Sequence, residues 1–136
     1  MARLKLETVH RRARREIFKG LLAYNRSAGG EFGHKSVTIT LRERGRIVGG
    51  LAGEIFFGWL YVSLLWISEE YRGRGFGSKL MKAAEKEARR RGVKQVWLDT
   101  FSFQAPAFYR KLGYRAFGRL KDFPAGHTRT FLTKAL

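Results

Sequence analysis

The chain has 136 residues, the size of one globular domain, and can bury a hydrophobic core without disulfides or a structural metal. It contains no cysteine, which excludes disulfides, thiolate metal sites and a cysteine nucleophile. Lysine and arginine total 28 against 11 acidic residues, so the formal net charge of +17 favours phosphate-bearing or polyanionic partners.

The apolar runs of the sequence are short. They stop at about ten residues, too few to span a bilayer. Residues 1–16 also lack the apolar centre of a signal peptide. No repeat and no Pro- or Ser-rich linker divides the chain. We therefore expect a cytoplasmic protein without membrane contact, folded as a single domain over residues 1–136.

Hydrophobic periodicity predicts ten elements in the order βαβββαβαββ. Apolar residues about four apart predict helices, and alternating apolar and polar residues predict half-buried strands. The nearly all-apolar run 59–67 predicts a strand buried on both faces. We expect an α/β (α+β) fold with a mixed, mostly antiparallel sheet flanked by helices. The predicted elements are strand 4–7, helix 8–24, loop 25–30, strands 36–42, 47–57 and 59–67, helix 75–91, strand 93–100, helix 106–112, and strands 114–120 and 128–133.

The predicted helix 75–91 is amphipathic. Its apolar positions follow helical spacing and predict the buried face. Two acidic residues four positions before arginines, Glu85 before Arg89 and Glu87 before Arg91, predict ion pairs on the exposed face.

A glycine-rich turn joins the apolar run 59–67 to this helix. Glycines allow backbone N–H groups to approach a phosphate closely, and the helix start contributes a positive dipole. Two arginines add charge, and a serine hydroxyl could bond either an anion or the first amides of the helix. The turn predicts a pyrophosphate cradle, and the alternative is a tight turn whose glycines only accommodate positive φ angles. Its residues are Arg72, Gly73, Arg74, Gly75, Phe76, Gly77 and Ser78.

Two motifs together indicate a family. The P-loop pattern is absent, and the dinucleotide pattern has Ser78 where its third glycine belongs. The pattern [R/Q]-x-x-G-x-[G/A] fits from Arg72 to Gly77. Residues 102–114 match N-x-x-A-x-x-x-Y-x-K-x-G-[FY] except at Ser102. Over residues 36–136 the chain strongly resembles the GNAT superfamily of acyl-CoA N-acyltransferases.

The resemblance implies how acetyl-CoA binds. Strands 59–67 and 93–100 would splay apart at one end, so that backbone groups of Leu65, Trp66 and Ile67 bond the pantetheine arm like an added strand. The glycine turn would bind the pyrophosphate. Ser102 stands where the family has Asn and would supply a hydroxyl contact in place of an amide. Tyr109 would point at the sulfur.

Transfer from a thioester to an amine needs a neutral amine, a donor for the carbonyl oxygen and an acid for the thiolate. Tyr109 is the candidate acid, and its alternative role is an amphipathic core residue with an exposed hydroxyl.

The base is less determined, because the run 59–67 contains no acid and Trp97 occupies the place of a glutamate found in other members. His127 is one candidate, since some small-molecule acetyltransferases of the superfamily carry a catalytic His in a similar Pro-Gly-His segment. Glu54 is another, unless it only pairs on the surface. Asp99, at the end of its strand, orients a loop or binds substrate.

Three functions remain open. The favoured one transfers acetyl from acetyl-CoA to the primary amine of a small molecule, neutral or anionic because the protein is so basic. The second is a protein or ribosome-associated N-acetyltransferase. The third is a basic nucleic-acid-binding module without catalysis; aromatic residues do not interleave with the basic run, so we expect nucleic-acid binding to be non-specific at most. A homodimer stays open, and no metal is expected.

Overall fold

The structure is a computed structural model that describes all 136 residues. Contacts between backbone segments divide the chain into two compact units, Met1–Phe32 and Gly33–Leu136, and the assignment of a single domain over 1–136 stays a prediction. No helix is both long and apolar enough to cross a membrane. The elements are α1 (Arg11–Gly29), β1 (Lys35–Glu43), β2 (Arg46–Phe56), β3 (Trp59–Ile67), α2 (Phe76–Arg90), β4 (Gln95–Phe101), α3 (Pro106–Lys111), β5 (Arg115–Lys121) and β6 (Thr128–Ala135).

The first unit corrects two predictions. Residues 4–7 form no strand. The six strands of the protein pair within one sheet, and the first of them begins at Lys35. Residues 25–29 of the predicted loop 25–30 instead form the end of α1. Ser27 Oγ donates to the Tyr24 carbonyl at 2.8 Å, so that this side chain bonds within the helix. The helix ends where Gly30 takes φ 90°.

The second unit is built on one sheet with the strand order β1-β2-β3-β4-β6-β5. Strands β3 and β4 run parallel, and every other neighbouring pair is antiparallel. The predicted mixed, mostly antiparallel sheet is therefore confirmed, and the strand boundaries agree with the sequence prediction within about two residues at most ends.

Helix α2 covers one face of this sheet. Its apolar stripe, predicted from the sequence, is buried with strand residues such as Leu60 and Leu98 in a single core cluster. The stripe consists of Leu80, Met81, Ala84 and Ala88.

The predicted ion pairs of α2 are half right. Glu87 pairs with Arg91 at 2.8 Å and also with Arg90. Hydrogen bonds from Arg90 and then Arg91 lower the pKa of Glu87 to about 2. Glu85 does not pair with Arg89. It faces the core and accepts hydrogen bonds from Tyr114 and Lys134 at 2.8 and 3.0 Å.

Strand β3 corrects the prediction of burial on both faces. Leu60 and Val62 are buried, whereas Leu64 and Trp66 are 67% and 52% exposed. The cause is a β-bulge, because Gly53 pairs with Val62 and Ala52 with Leu64, leaving Ser63 as an extra residue. A bulge reverses which face the following residues occupy and bends the strand.

Candidate functional site

A gap opens in the sheet between β3 and β4. The two strands pair only from Trp59–Gln95 to Val62–Leu98, although β3 continues to Ile67 and β4 to Phe101. The pairing stops at the Ser63 bulge, whose bend directs the rest of β3 away from β4. The end of the gap leads into the glycine turn, because that turn follows β3 directly.

Backbone groups of β3 line the gap on one side. Ser68 N donates to Val48 O of β2 at 2.8 Å, and backbone direction alternates along a strand. Leu65 and Ile67 therefore direct their N–H and C=O groups into the gap. The N–H and C=O groups of Trp66 point toward β2 instead. The expectation that the backbone groups of Leu65, Trp66 and Ile67 are all unpaired is therefore wrong for Trp66. Arg72 Nε donates to the Ile67 carbonyl at 2.9 Å and fastens the start of the turn to the strand.

The glycine turn leaves the start of α2 without a side-chain cap. Gly73 and Gly75 take φ angles of 73° and 81°, which strongly favour glycine, and Gly75 is the N-cap of α2. No side chain bonds the first amides of α2, and no acid lies in its first turn. These amides and the helix dipole are therefore open to an anion.

Two side-chain contacts shape this turn. The Arg74 guanidinium lies 5.4 Å from the centre of the Tyr71 ring. At Gly77 a Cβ would approach Phe108 of α3 to 3.2 Å, so the absence of a side chain lets the two helices approach each other.

Tyr109 of α3 is 9% exposed and belongs to the core cluster. Its hydroxyl makes no hydrogen bond within the protein. Every buried polar side-chain atom of the structure has a hydrogen-bond partner, so this hydroxyl is not one of the buried atoms. The hydroxyl therefore opens onto solvent at the end of a buried ring. Burial, and next the charge of Asp99, raise the pKa of Tyr109 to about 12.

A polar network occupies the face of the sheet opposite α2. Tyr61 Oη donates to Asp99 Oδ2 at 3.0 Å, and Arg129 Nε donates to Asp99 Oδ1 at 2.8 Å. The Tyr61 ring stacks on Trp97 with centroids 4.1 Å apart. Asp99 is the first residue of β4 beyond the last pair with β3, so the network borders the narrow end of the gap.

The sequence alone leaves two roles open for Asp99, and its partners Tyr61 and Arg129 were not predicted. The alternation of Trp97, Asp99 and Phe101 with buried Val96 and Leu98 was the available signal.

The other candidate catalytic residues have partners of their own. Glu54 of β2 contacts His34 Nε2 at 3.4 Å and pairs across the sheet with Tyr61. His127 Nδ1 lies 3.1 Å from Ser102 Oγ at the other end of β4. Ser102 Oγ also accepts from Thr128 N at 3.0 Å, so this hydroxyl is already used within the protein. No hydrogen bond or ion pair joins Tyr109, His127 and Glu54, and their catalytic roles stay predictions.

A separate surface cavity of about 600 Å³ lies at the opposite end of β2 and α2 from the glycine turn. It contains none of the predicted site residues. Its lining is Gly33, Lys35, Ile55, Gly58, Arg91, Gly92 and Val93.

The gapped sheet, the glycine turn and the buried tyrosine agree with the class of acetyltransferases that the motifs indicated. A family model described as "Acetyltransferase (GNAT) family" matches residues 6–114. The chain therefore belongs to the GNAT family and is an acetyltransferase.

Known relatives agree. The chain is 42% identical over 100 residues to blasticidin-S acetyltransferase of Streptomyces morookaense. The matched region covers 73% of this chain and 74% of that protein. The crystal structure of an acetyltransferase from Bacillus cereus matches with a TM-score of 0.91 at 34% identity, over 98% of each chain. A more distant structure, of an aminoglycoside 6′-N-acetyltransferase complexed with coenzyme A, matches in fold alone: TM-score 0.66, 17% identity, 74% of this chain and 72% of that chain. The fold is thus one that binds coenzyme A in another protein.

Proposed function

We propose that this acetyltransferase moves the acetyl group of acetyl-CoA to the primary amine of a small molecule. The observation that carries the proposal is the gap between β3 and β4, which leads directly into an uncapped, glycine-rich helix start. A long, flexible acyl carrier with a pyrophosphate at one end fits such a channel, since the arm can pair with strand backbone while the phosphates meet free amides.

The backbone of Leu65 and Ile67 is the proposed partner of the pantetheine arm. The pyrophosphate would lie at the amides of Gly75 to Ser78, with Arg74 supplying charge. Arg72 supports this arrangement indirectly, because its Nε holds the Ile67 carbonyl. For Ser102 we propose a contribution through the loop that it fastens to Thr128, because its hydroxyl already accepts a hydrogen bond from Thr128 N.

The chemistry is a direct transfer. The amine nitrogen adds to the thioester carbonyl carbon, the C–N bond forms, and the C–S bond breaks with its electron pair left on sulfur. Tyr109 is the proposed donor to that sulfur. Its pKa of about 12 lies roughly three units above that of a thiol. Tyr109 therefore stabilises the developing thiolate by a hydrogen bond, and the proton that the thiol finally keeps derives from the amine nitrogen.

The acceptor is proposed to be a small molecule because a relative at 42% identity is named as an acetyltransferase of blasticidin-S. The high positive charge favours a neutral or anionic acceptor. His127 and Glu54 remain the proposed bases, and Asp99, whose charge acts on Tyr109, is a third candidate base for comparison. We place the reaction in the cytoplasm and regard nucleic-acid contact as incidental.

The test combines binding with turnover. Coenzyme A is titrated calorimetrically into the protein, and thiol release from acetyl-CoA is measured with a panel of neutral, anionic and cationic primary amines. Binding of coenzyme A together with amine-dependent thiol release supports the proposal. Absence of coenzyme A binding, or thiol release that no amine accelerates, contradicts it. Parallel assays of His127→Ala, Glu54→Gln and Asp99→Asn below pH 7 identify the base. Loss of the base should lower turnover most at low pH, because the amine is charged there and must lose a proton.

A further inference from the structure

Arg129 is held in an unusual environment for a charged side chain. The guanidinium carbon lies 5.5, 5.0 and 5.0 Å from the ring centres of Phe101, Phe123 and Phe131. Its Nε donates to Asp99, and the side chain is 25% exposed. Tyr61 is the other hydrogen-bonding neighbour of the guanidinium, and neither Nη1 nor Nη2 is buried without a partner. The side chain thus presents its terminal fork outward from an aromatic enclosure.

Such a fork fits a carboxylate. Two parallel N–H donors match the two oxygens of a carboxylate, and this bidentate pair is stronger than a neutral hydrogen bond. The three rings hold the guanidinium in place and reduce the water around it, which strengthens a charge pair formed there. The positive field of the whole protein adds to the attraction of an anion.

The location of Arg129 connects this fork to the reaction. Asp99 borders the gap, and Arg129 pairs with Phe101, one row farther along the same sheet face. Rows two residues apart on a strand are about 7 Å from each other. Side chains of α2 and α3 belong to the core cluster on the other face, so Asp99 and Arg129 lie on the face of the sheet opposite those helices.

We propose that the acceptor is a small amino acid-type zwitterion, whose carboxylate binds the Nη1–Nη2 fork of Arg129 and whose amine lies beside Asp99 at the gap. This inference rests on the proposed acetyl transfer and names its substrate class. Tyr61 supports the arrangement, since its hydroxyl occupies Asp99 Oδ2 and fixes that carboxylate. Burial raises the pKa of Tyr61, with Asp99 adding to the effect, so this hydroxyl keeps its proton. The competing role for Arg129 is purely structural, as the counter-charge of Asp99.

A matched pair of acceptors separates the two roles. Thiol release is measured with 4-(aminomethyl)benzoate and with 4-(aminomethyl)benzamide, which differ only in the carboxylate. We expect the parent protein to show a KM about 10–100-fold lower for the benzoate. Arg129→Gln should raise the benzoate KM to that of the benzamide while leaving the benzamide KM nearly unchanged. A structural role would instead affect both acceptors equally.

Controls use charge and geometry. Arg119→Gln removes the same charge from an exposed position on the neighbouring strand β5 and should keep the preference for the benzoate. Arg129→Lys keeps the charge without the fork and should retain only part of the preference. Coenzyme A affinity and the melting temperature of each variant show whether the cofactor site and the fold persist.

A binding measurement decides the inference even if neither acceptor is turned over. Phenylacetate and phenylacetamide are titrated into the protein saturated with coenzyme A. Selective binding of phenylacetate that Arg129→Gln abolishes and Arg119→Gln does not supports the site. Equal binding of both probes, or a preference that survives Arg129→Gln, overturns it. Failure of coenzyme A to bind is a different outcome, and it contradicts the proposed function instead.

Discussion

Tyr109 combines a buried ring with a reachable hydroxyl, and this separates its chemistry from its packing. Tyr109→Phe keeps the ring in the core cluster and removes only the hydroxyl. We expect kcat to fall about 10²-fold or more, since a positioned donor to the leaving group is lost, with coenzyme A affinity nearly intact. The measurement is steady-state thiol release at saturating acetyl-CoA.

Tyr114→Phe is the matched control for that variant. Tyr114 is also a buried tyrosine, but its hydroxyl donates to Glu85 at 2.8 Å inside the core. Its removal should lower stability and leave kcat within a few-fold of the parent below the melting transition. Parent-like turnover by Tyr109→Phe would make Tyr109 a packing residue.

The pH dependence of turnover carries the same argument. A group whose pKa is raised to about 12 stays protonated as the pH passes 10, where an ordinary tyrosine would ionise. Between pH 7 and 11 the parent kcat should therefore show no decrease caused by ionisation of Tyr109. A descending limb near pH 10 that disappears in Tyr109→Phe would show that burial does not raise this pKa.

At the scale of elements, the glycine turn offers a test of cofactor binding with a close control. Gly75 and Gly45 both have positive φ angles, 81° and 78°, and open space where a Cβ would point. Gly75→Val and Gly45→Val should thus introduce similar backbone strain, of about 1–3 kcal/mol. Only Gly75→Val adds bulk at the start of α2, so only this variant should lose coenzyme A affinity in calorimetry. Equal affinity for coenzyme A in the two folded variants would show that the glycine turn does not bind the cofactor.

The buried Glu85 connects α2 to β6 and to the segment after α3. Lys134 Nζ bonds both Glu85 Oε1 and the Leu112 carbonyl, at 3.0 and 2.7 Å. Glu85→Ala leaves the ammonium of Lys134 uncompensated, and the free energy of unfolding should fall by about 3–5 kcal/mol. Glu87→Ala, at a half-exposed position of the same helix, should lower the free energy of unfolding much less, because its ion pairs are screened by solvent. Denaturant titration measures both, and equal losses would contradict the assigned role of Glu85.

The elements also show what the sequence could predict. Regularly spaced apolar residues located β1 and α2, and the nearly all-apolar run 59–67 located β3. Pro106 and Gly113 marked the two ends of α3. The motifs located the glycine turn and Tyr109. Local pattern could not reveal the Ser63 bulge, which depends on pairing with β2, and so the exposure of Leu64 and Trp66 was missed.

Two further misses had the same origin. Glu85 has the spacing of a surface ion pair, and only the tertiary contacts with Tyr114 and Lys134 show that it is buried. Asp99 acquires its meaning from Tyr61 and Arg129, which are 38 and 30 positions away in the chain. Contacts at such separations leave no periodic signal in one sequence.

For the whole molecule, the net charge of +17 exceeds what a single cofactor site requires. Much of it lies outside that site: Arg11, Arg12, Arg14 and Arg15 are all exposed on α1. A field of this kind attracts any polyanion, whereas sequence selectivity requires contacts to base edges. We therefore expect binding to nucleic acid that depends on charge alone.

That expectation has a quantitative form. The association constant for a fluorescent random-sequence DNA duplex should fall steeply with salt, with a slope of about −0.9 for each phosphate contact in a plot of log K against log [salt]. Substituting the four α1 arginines by glutamine should reduce the magnitude of this slope if they contact phosphates, without changing coenzyme A affinity. Fluorescence anisotropy between 50 and 200 mM salt measures both. Tight binding at physiological salt that distinguishes one duplex sequence from another would contradict this view, because a uniform positive field attracts every sequence equally.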